Sequence, residues 1–297
     1  MQQDQTIDHP VEGAGQSGVT WTDMQVPVST TGGAVALRVY RRAGIGPHAP
    51  VVLHLHGGSF VAGHLDSGRT VAALLAEAGA VVASVDYPLA PQHPFPQALV
   101  TAFDVLTHIA RGGASFVGKR PRLYVAGEEA GGNIAAALAL MARDQKTPLL
   151  LGQILLSPMV DPCMATCSVR EAKAGPAGCQ WADGWHQYLG TPDKAEHPYA
   201  SPIGSSRLAG VAPALLVTAT DDLLRDEALS YAHKLRESGV AVRQHVLAAP
   251  TGWPCALYHG ADQAAPWRAE LCKCFTAFFA DTSAGSLSSS HRHNIRA

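Results

Sequence analysis

Charge is scarce in this chain: Asp, Glu, Lys and Arg make up 15% of its 297 residues, against about 25% in an ordinary soluble domain. The formal net charge is −2, and no basic stripe argues for a nucleic-acid partner. Long apolar runs are lacking too. No uninterrupted stretch approaches the roughly 18 residues needed to cross a bilayer, and residues 1–10 are polar, without an apolar segment of signal-peptide length. A cytoplasmic protein with no membrane partner is expected. The six cysteines, Cys163, Cys167, Cys179, Cys255, Cys272 and Cys274, show neither paired C-x-x-C spacing nor the density of a secreted scaffold, so they read as reduced thiols. No dinucleotide fingerprint or zinc-ligand spacing occurs, and neither a cofactor nor a metal is expected. What the chain has is apolar mass, 47% of its residues, enough to bury a substantial core as one large domain with a small lid.

The order of elements points to an α/β fold. Residues 34–42 alternate as a strand after a Thr-Gly-Gly turn, and 51–55 form an apolar strand that runs into a glycine-rich loop. A helix over 68–80, a strand over 81–85, a helix over 97–110 and a strand over 122–126 follow, then an Ala/Leu helix over 133–141. Strands at 151–157, 214–219 and 240–247 and helices at 225–238 and 264–280 complete the pattern, a mostly parallel sheet covered on both faces. Residues 160–210 are irregular, with one helix near 181–189, and read as a lid whose Trp181, Trp185, Tyr188 and Tyr199 make an aromatic face. Residues 1–20 are expected to be a flexible leader, 21–280 the folded domain, and the Ser- and His-rich 281–297 a disordered tail.

Residues 127–132 read Gly-Glu-Glu-Ala-Gly-Gly. This is the strand-to-helix turn G-x-S-x-G that holds a nucleophilic serine up into a pocket, with small residues two positions either side to give room. Gly127 and Gly131 keep the turn, and Glu129 stands where the serine would be. At 56–60 the chain reads His-Gly-Gly-Ser-Phe, where glycines after an apolar strand let backbone N–H groups approach a ligand oxygen. Gly57, Gly58, Ser59 and Ala130, the residue after the elbow, are the candidate oxyanion or substrate-binding positions.

With these two motifs, Asp86-Tyr87-Pro88-Leu89-Ala90-Pro91, Phe95-Pro96, Ser157-Pro158 and Asp222-Leu223-Leu224-Arg225-Asp226-Glu227 follow in order and spacing. The chain resembles the hormone-sensitive-lipase-like branch of the carboxylesterases, an α/β-hydrolase family, over about residues 34–280. It departs from the family's pattern at Ser59, Pro88 and Gln92. The resemblance implies an α/β-hydrolase fold, a homodimer through the last strand and helix with the apolar 275–279 at its edge, and a triad in the order Ser, Asp, His. The serine position falls on Glu129, the acid on Asp222 with Asp221 as its neighbour alternative, and the histidine near Thr251-Gly252-Trp253, where no histidine stands. His259, eight residues past Thr251, reaches the site only if its loop swings inward.

Acyl transfer by the covalent route needs both the hydroxyl and its base. The first expectation is therefore a repurposed, non-hydrolytic acid/base catalyst, with Glu129 abstracting a proton from a small apolar carbonyl compound while Gly57 and Gly58 hold the enolate oxygen. The alternatives are an inactive ligand-binding or interaction protein that keeps the scaffold, a carboxylate nucleophile, and a residual or unconventional esterase. Trp185 and Trp253, with Thr251 and His259, are the candidate pocket or lid residues. Glu128, next to the elbow, reads as structural.

Overall fold

The computed structural model of the chain describes residues 13–14, 18–29, 32–116, 118, 121–170, 175–258 and 264–284. In chain order the elements are β1 (Gly13–Ala14), β2 (Val19–Val28), β3 (Gly33–Arg42), β4 (Pro50–Leu55), α1 (Arg69–Glu77), β5 (Val81–Val85), α2 (Gln97–Ala110), β6 (Arg122–Glu128), α3 (Glu129–Gln145) and β7 (Gly152–Leu156). Then come α4 (Cys167–Arg170), α5 (Gly175–Leu189), two short 3₁₀ turns at Pro192–Glu196 and Pro202–Gly204, β8 (Ala214–Ala219), α6 (Arg225–Glu237), β9 (Val242–Leu247), α7 (Cys255–Tyr258) and α8 (Pro266–Ser283).

The strands form one sheet in the order β1-β2-β3-β5-β4-β6-β7-β8-β9. The pairs from β5 through β9 are parallel and those among β1, β2, β3 and β5 antiparallel. This is the mostly parallel α/β sheet that the sequence pattern implies. Side chains alternate between its faces as the pleat requires. On β4, Val51, Leu53 and Leu55 join the core shared with α2, α3 and α6, whereas Val52 joins the opposite core with α1 and α8. On β6, Leu123 and Val125 take the first face, Tyr124 and Ala126 the second. β4 and β5 are buried almost throughout, which accounts for their unbroken Val/Leu character.

Helix α3 is the central helix: every residue from Glu129 to Ala142 is buried. Its alanines let it lie close on the sheet, and it starts at residue 129 rather than 133, so the elbow residues are its first turn. Two contacts fix that turn. A Cβ on Gly127 would fall on the Gly131 carbonyl, and a Cβ on Gly131 would fall on the carbonyl oxygen of Leu55 at the end of β4.

The N-terminal expectation needs correction. Gly13–Ala14 and the start of β2, inside the expected flexible leader, are strands, and β2 pairs along its full length with β3, from Val19 opposite Arg42 to Val28 opposite Gly33. Polar Thr20, Thr22, Asp23 and Gln25 break up the half-exposed middle of β2 and hide it from a search for continuous apolar strands, although Val19, Val26 and Val28 are buried. Residues 1–12 lie outside the described residues. Residues 281–283 of the expected tail belong to α8, and 285–297 are not among the described residues.

Gly131→Ala should destabilise the fold by about 3 kcal/mol, because overpacking against backbone cannot be relieved by a rotamer change. Urea unfolding at unchanged m would show it as a lowered midpoint.

Candidate active site

β4 and β6 are hydrogen-bonded neighbours, while β5, which lies between them in sequence, pairs on the far side of β4. The loops after β4 and β6 therefore face each other where the strand order reverses, the usual ligand position in open α/β sheets. Glu129 opens α3 at φ 52°, in the left-handed region that side chains other than glycine seldom adopt. Its side chain reaches the 56–60 loop and is fully buried, at 0% exposure. Oε2 accepts the N–H groups of Gly58 and of Ser59, the latter at 3.0 Å. Oε1 accepts the Ser59 hydroxyl at 3.1 Å and the indole N–H of Trp181 at 2.6 Å. Four neutral donors surround one carboxylate, which is how a buried acidic group is compensated without a cation.

Glu128 points to the opposite face of the sheet. Its Oε2 lies 2.8 Å from His54 Nε2, and His54 Nδ1 lies 3.0 Å from Ser84 Oγ, all three side chains being buried. His54 and Ser84 are register partners on β4 and β5. Gly68, just ahead of α1, leaves the room: a Cβ there would stand 2.6 Å from the His54 ring. Glu128 Oε1 accepts the Gly57 N–H at 3.1 Å. This corrects the expected pair of oxyanion donors, since Gly57 is turned back to the scaffold and Gly58 and Ser59 face the site. Ala130 is buried beside them in the first turn of α3. His54 gave no signal in sequence beyond its place in an apolar strand.

Asp222 is buried and accepts from Ser157 Oγ at 2.6 Å, from the Thr218 hydroxyl and from the Leu224 N–H at 2.9 Å. Burial raises its pKa despite these donors. Thr251, at the expected histidine position, is bound by the neighbour instead: Asp221 accepts the Thr251 hydroxyl and N–H, each at 2.7 Å, and the Gly252 N–H at 3.1 Å. Burial pushes the Asp221 pKa up, but these donors outweigh it and leave the group below its usual value. Trp253 is not a pocket residue. It is buried against Trp267 of α8, with ring centres 5.4 Å apart, in the core on the α1/α8 face. Trp185 of α5 does lie by the loop, 4.8 Å from the Phe60 ring. Trp181 rather than Trp185 reaches the elbow. His259 falls outside the described residues.

Residues 52–250 match the model of a family described as having the alpha/beta hydrolase fold. The chain is 34% identical over 220 residues to the carboxylesterase NlhH of Mycobacterium tuberculosis, covering 70% of this chain and 67% of that one. The chain belongs to the carboxylesterase group of the α/β-hydrolases. It is also 33% identical over 226 residues to an ethyl acetate hydrolase of Pseudomonas putida, covering 73% of this chain and 70% of that one. A crystal structure of a thermostable esterase from Pseudomonas putida superposes with a TM-score of 0.78 at 30% identity, over 90% of this chain and 84% of that one.

These relatives overturn the expected non-hydrolytic catalyst and the pseudoenzyme label, because a likeness this long and this close is to proteins named for ester hydrolysis.

Two properties of this carboxylesterase-type site can be measured. His54→Leu leaves the Glu128 carboxylate buried and short of a partner, and should cost about 3–5 kcal/mol of stability in urea titrations. His56, stacked on Tyr87 at 4.4 Å and bonded through Nδ1 to the Gly57 carbonyl at 2.7 Å, is held neutral by burial, its pKa lowered to about 4. The unfolded chain binds that proton below about pH 6.5. The His56 contribution is therefore complete above that pH and lost as pH falls towards 4, up to about 3 kcal/mol. Asp222 and Glu227, whose pKa values burial raises, act in the opposite sense in any variant. His56→Gln should therefore flatten the acid-side loss relative to the unaltered protein when stability is followed from pH 7 to 4.

Proposed function

We propose that the protein hydrolyses small, apolar carboxylic esters by an unconventional route, with Glu129 in place of the nucleophilic serine and Thr251 in place of the histidine. One observation carries the reading: the Gly58 and Ser59 N–H groups converge on a single oxygen, as donors to a developing oxyanion must. Phe60, Trp181, Trp185 and Tyr188 supply apolar walls beside it.

In this route the ester displaces the Glu129 carboxylate, and its carbonyl oxygen takes the two N–H groups. Glu129, tethered at the elbow, accepts a proton from water while the water oxygen bonds to the carbonyl carbon. The tetrahedral oxyanion collapses, the C–O bond to the alkoxy group breaks, and the proton returns from Glu129 to the leaving oxygen. An acid and an alcohol result. Without the covalent intermediate the rate should be far below that of a triad enzyme, near the roughly 10³–10⁴-fold over water left by binding and oxyanion donors alone.

Steady-state hydrolysis of p-nitrophenyl butyrate tests this. Slow turnover by the unaltered protein is expected, reduced about 10²-fold in Glu129→Gln, which keeps the shape and removes the base. A folded protein with no rate above background, or a Glu129→Gln variant as fast as its parent, would overturn the proposal.

A further inference from the structure

The donors to the second oxygen of Glu129 are not explained by an oxyanion hole. In a serine hydrolase the atoms after the elbow Cβ are Oγ and then the acyl carbon; in Glu129 they are Cγ and Cδ. Cδ thus stands where an acyl carbon would, and Oε2, under Gly58 and Ser59, where the carbonyl oxygen would. Oε1 then marks the other substituent of that carbon. It is gripped by Trp181 Nε1 at 2.6 Å and Ser59 Oγ at 3.1 Å. A planar O–C–O group held at both oxygens is the shape of an ester or a carboxylate.

Trp181 is placed there by its helix. Trp181, Gly184, Trp185 and Tyr188 recur at three- and four-residue spacing on one face of α5. A Cβ on Gly184 would fall on the Ser59 carbonyl, so the helix rides directly on the loop. Tyr188 stacks on Phe60 at 4.0 Å, and its carbonyl accepts the Phe95 N–H at 2.7 Å. The Trp181 indole is buried, at 2% exposure, and an indole N–H can only donate. A ligand that displaces Glu129 without offering an acceptor at this point would leave the N–H unpaired, which selects against ketones and in favour of esters and carboxylates.

Resting on the ester-hydrolase reading, we infer that Trp181 Nε1–H and Ser59 Oγ–H hold the alkoxy oxygen of the bound ester, and that the four-donor cradle takes a short-chain carboxylate as ligand. When the C–O bond breaks, its electron pair stays on an alkoxide held by these two donors until the proton from Glu129 reaches it. Part of the leaving-group assistance that a histidine gives is thereby supplied by Trp181.

Sodium butyrate and 2-pentanone are titrated by calorimetry into the parent protein, Glu129→Ala and Glu129→Ala/Trp181→Phe. Glu129→Gly is run alongside because glycine suits the left-handed backbone at this position. Emptying the cradle should let butyrate bind at least about tenfold more tightly than to the parent, and Trp181→Phe should remove about tenfold of that affinity, the worth of one hydrogen bond to a charged group. 2-Pentanone should bind no better to Glu129→Ala than to the double variant. In the Glu129 background, Trp181→Phe should slow ethyl butyrate more than p-nitrophenyl butyrate, since the poorer leaving group depends more on the donors. Butyrate binding unchanged by removing Glu129, or unchanged by removing the indole N–H, overturns the assignment. Binding as expected with no hydrolysis overturns the hydrolase reading alone; hydrolysis with Trp181-independent binding overturns this inference alone.

Discussion

The site depends on one close approach, that of the first turn of α3 to the end of β4, where Gly131 has no space for a Cβ beside the Leu55 carbonyl. That contact brings the elbow within hydrogen-bonding reach of the 56–60 loop. Without it, Glu129 would be a surface acid at the start of a helix. With it, the carboxylate is buried, and its donors come from β4's loop and from α5, elements far apart in sequence.

Two neighbouring carboxylates, Glu128 and Glu129, are both fully buried yet share no donor. The strand pleat sends Glu128 to the α1 face, where His54, backed by Ser84, and the Gly57 N–H receive it. The left-handed turn at residue 129 sends the next side chain towards the 56–60 loop and Trp181. Gly57, Gly58 and Ser59 are thereby divided: the first N–H anchors the loop to the scaffold and the next two face the ligand position. The anchor ties the start of the loop to the scaffold, and a fixed pair of donors is what electrostatic stabilisation of an oxyanion requires.

Much of this was legible in the residues. The parallel sheet followed from Val-rich runs at 51–55 and 81–85, and the elbow from two glycines four apart. The family resemblance marked Glu129 and Thr251 as departures. Three features were not legible, for physical reasons. β2 alternates onto the core only over Met24, Val26 and Val28, with Val19 buried on the opposite face, and its half-exposed middle is held by backbone pairing with β3, so the period is too short and broken to mark a ten-residue strand. Which of two adjacent aspartates faces Thr251 depends on side-chain direction at a tight turn, and Asp221 takes that place while Asp222 turns to Ser157 and Thr218. Trp253 and Trp181 are both buried tryptophans, and only the packing of α8 and α5 makes the first core and the second a donor to the elbow.

The wiring of the sheet also bears on how the chain folds. The hydrogen bond from Gly58 to Glu129 closes a loop of 71 residues and that from Trp181 one of 52. Closure of loops this long carries an entropic cost that local helices and hairpins do not. The β2–β3 hairpin needs only its neighbour in sequence, whereas the elbow site needs β5 on the outer side of β4 and β6 on the inner one. Burial of the elbow carboxylate is thus tied to the whole sheet order and not to any one local segment, so a change that loosens β4 against β6 would also expose Glu129.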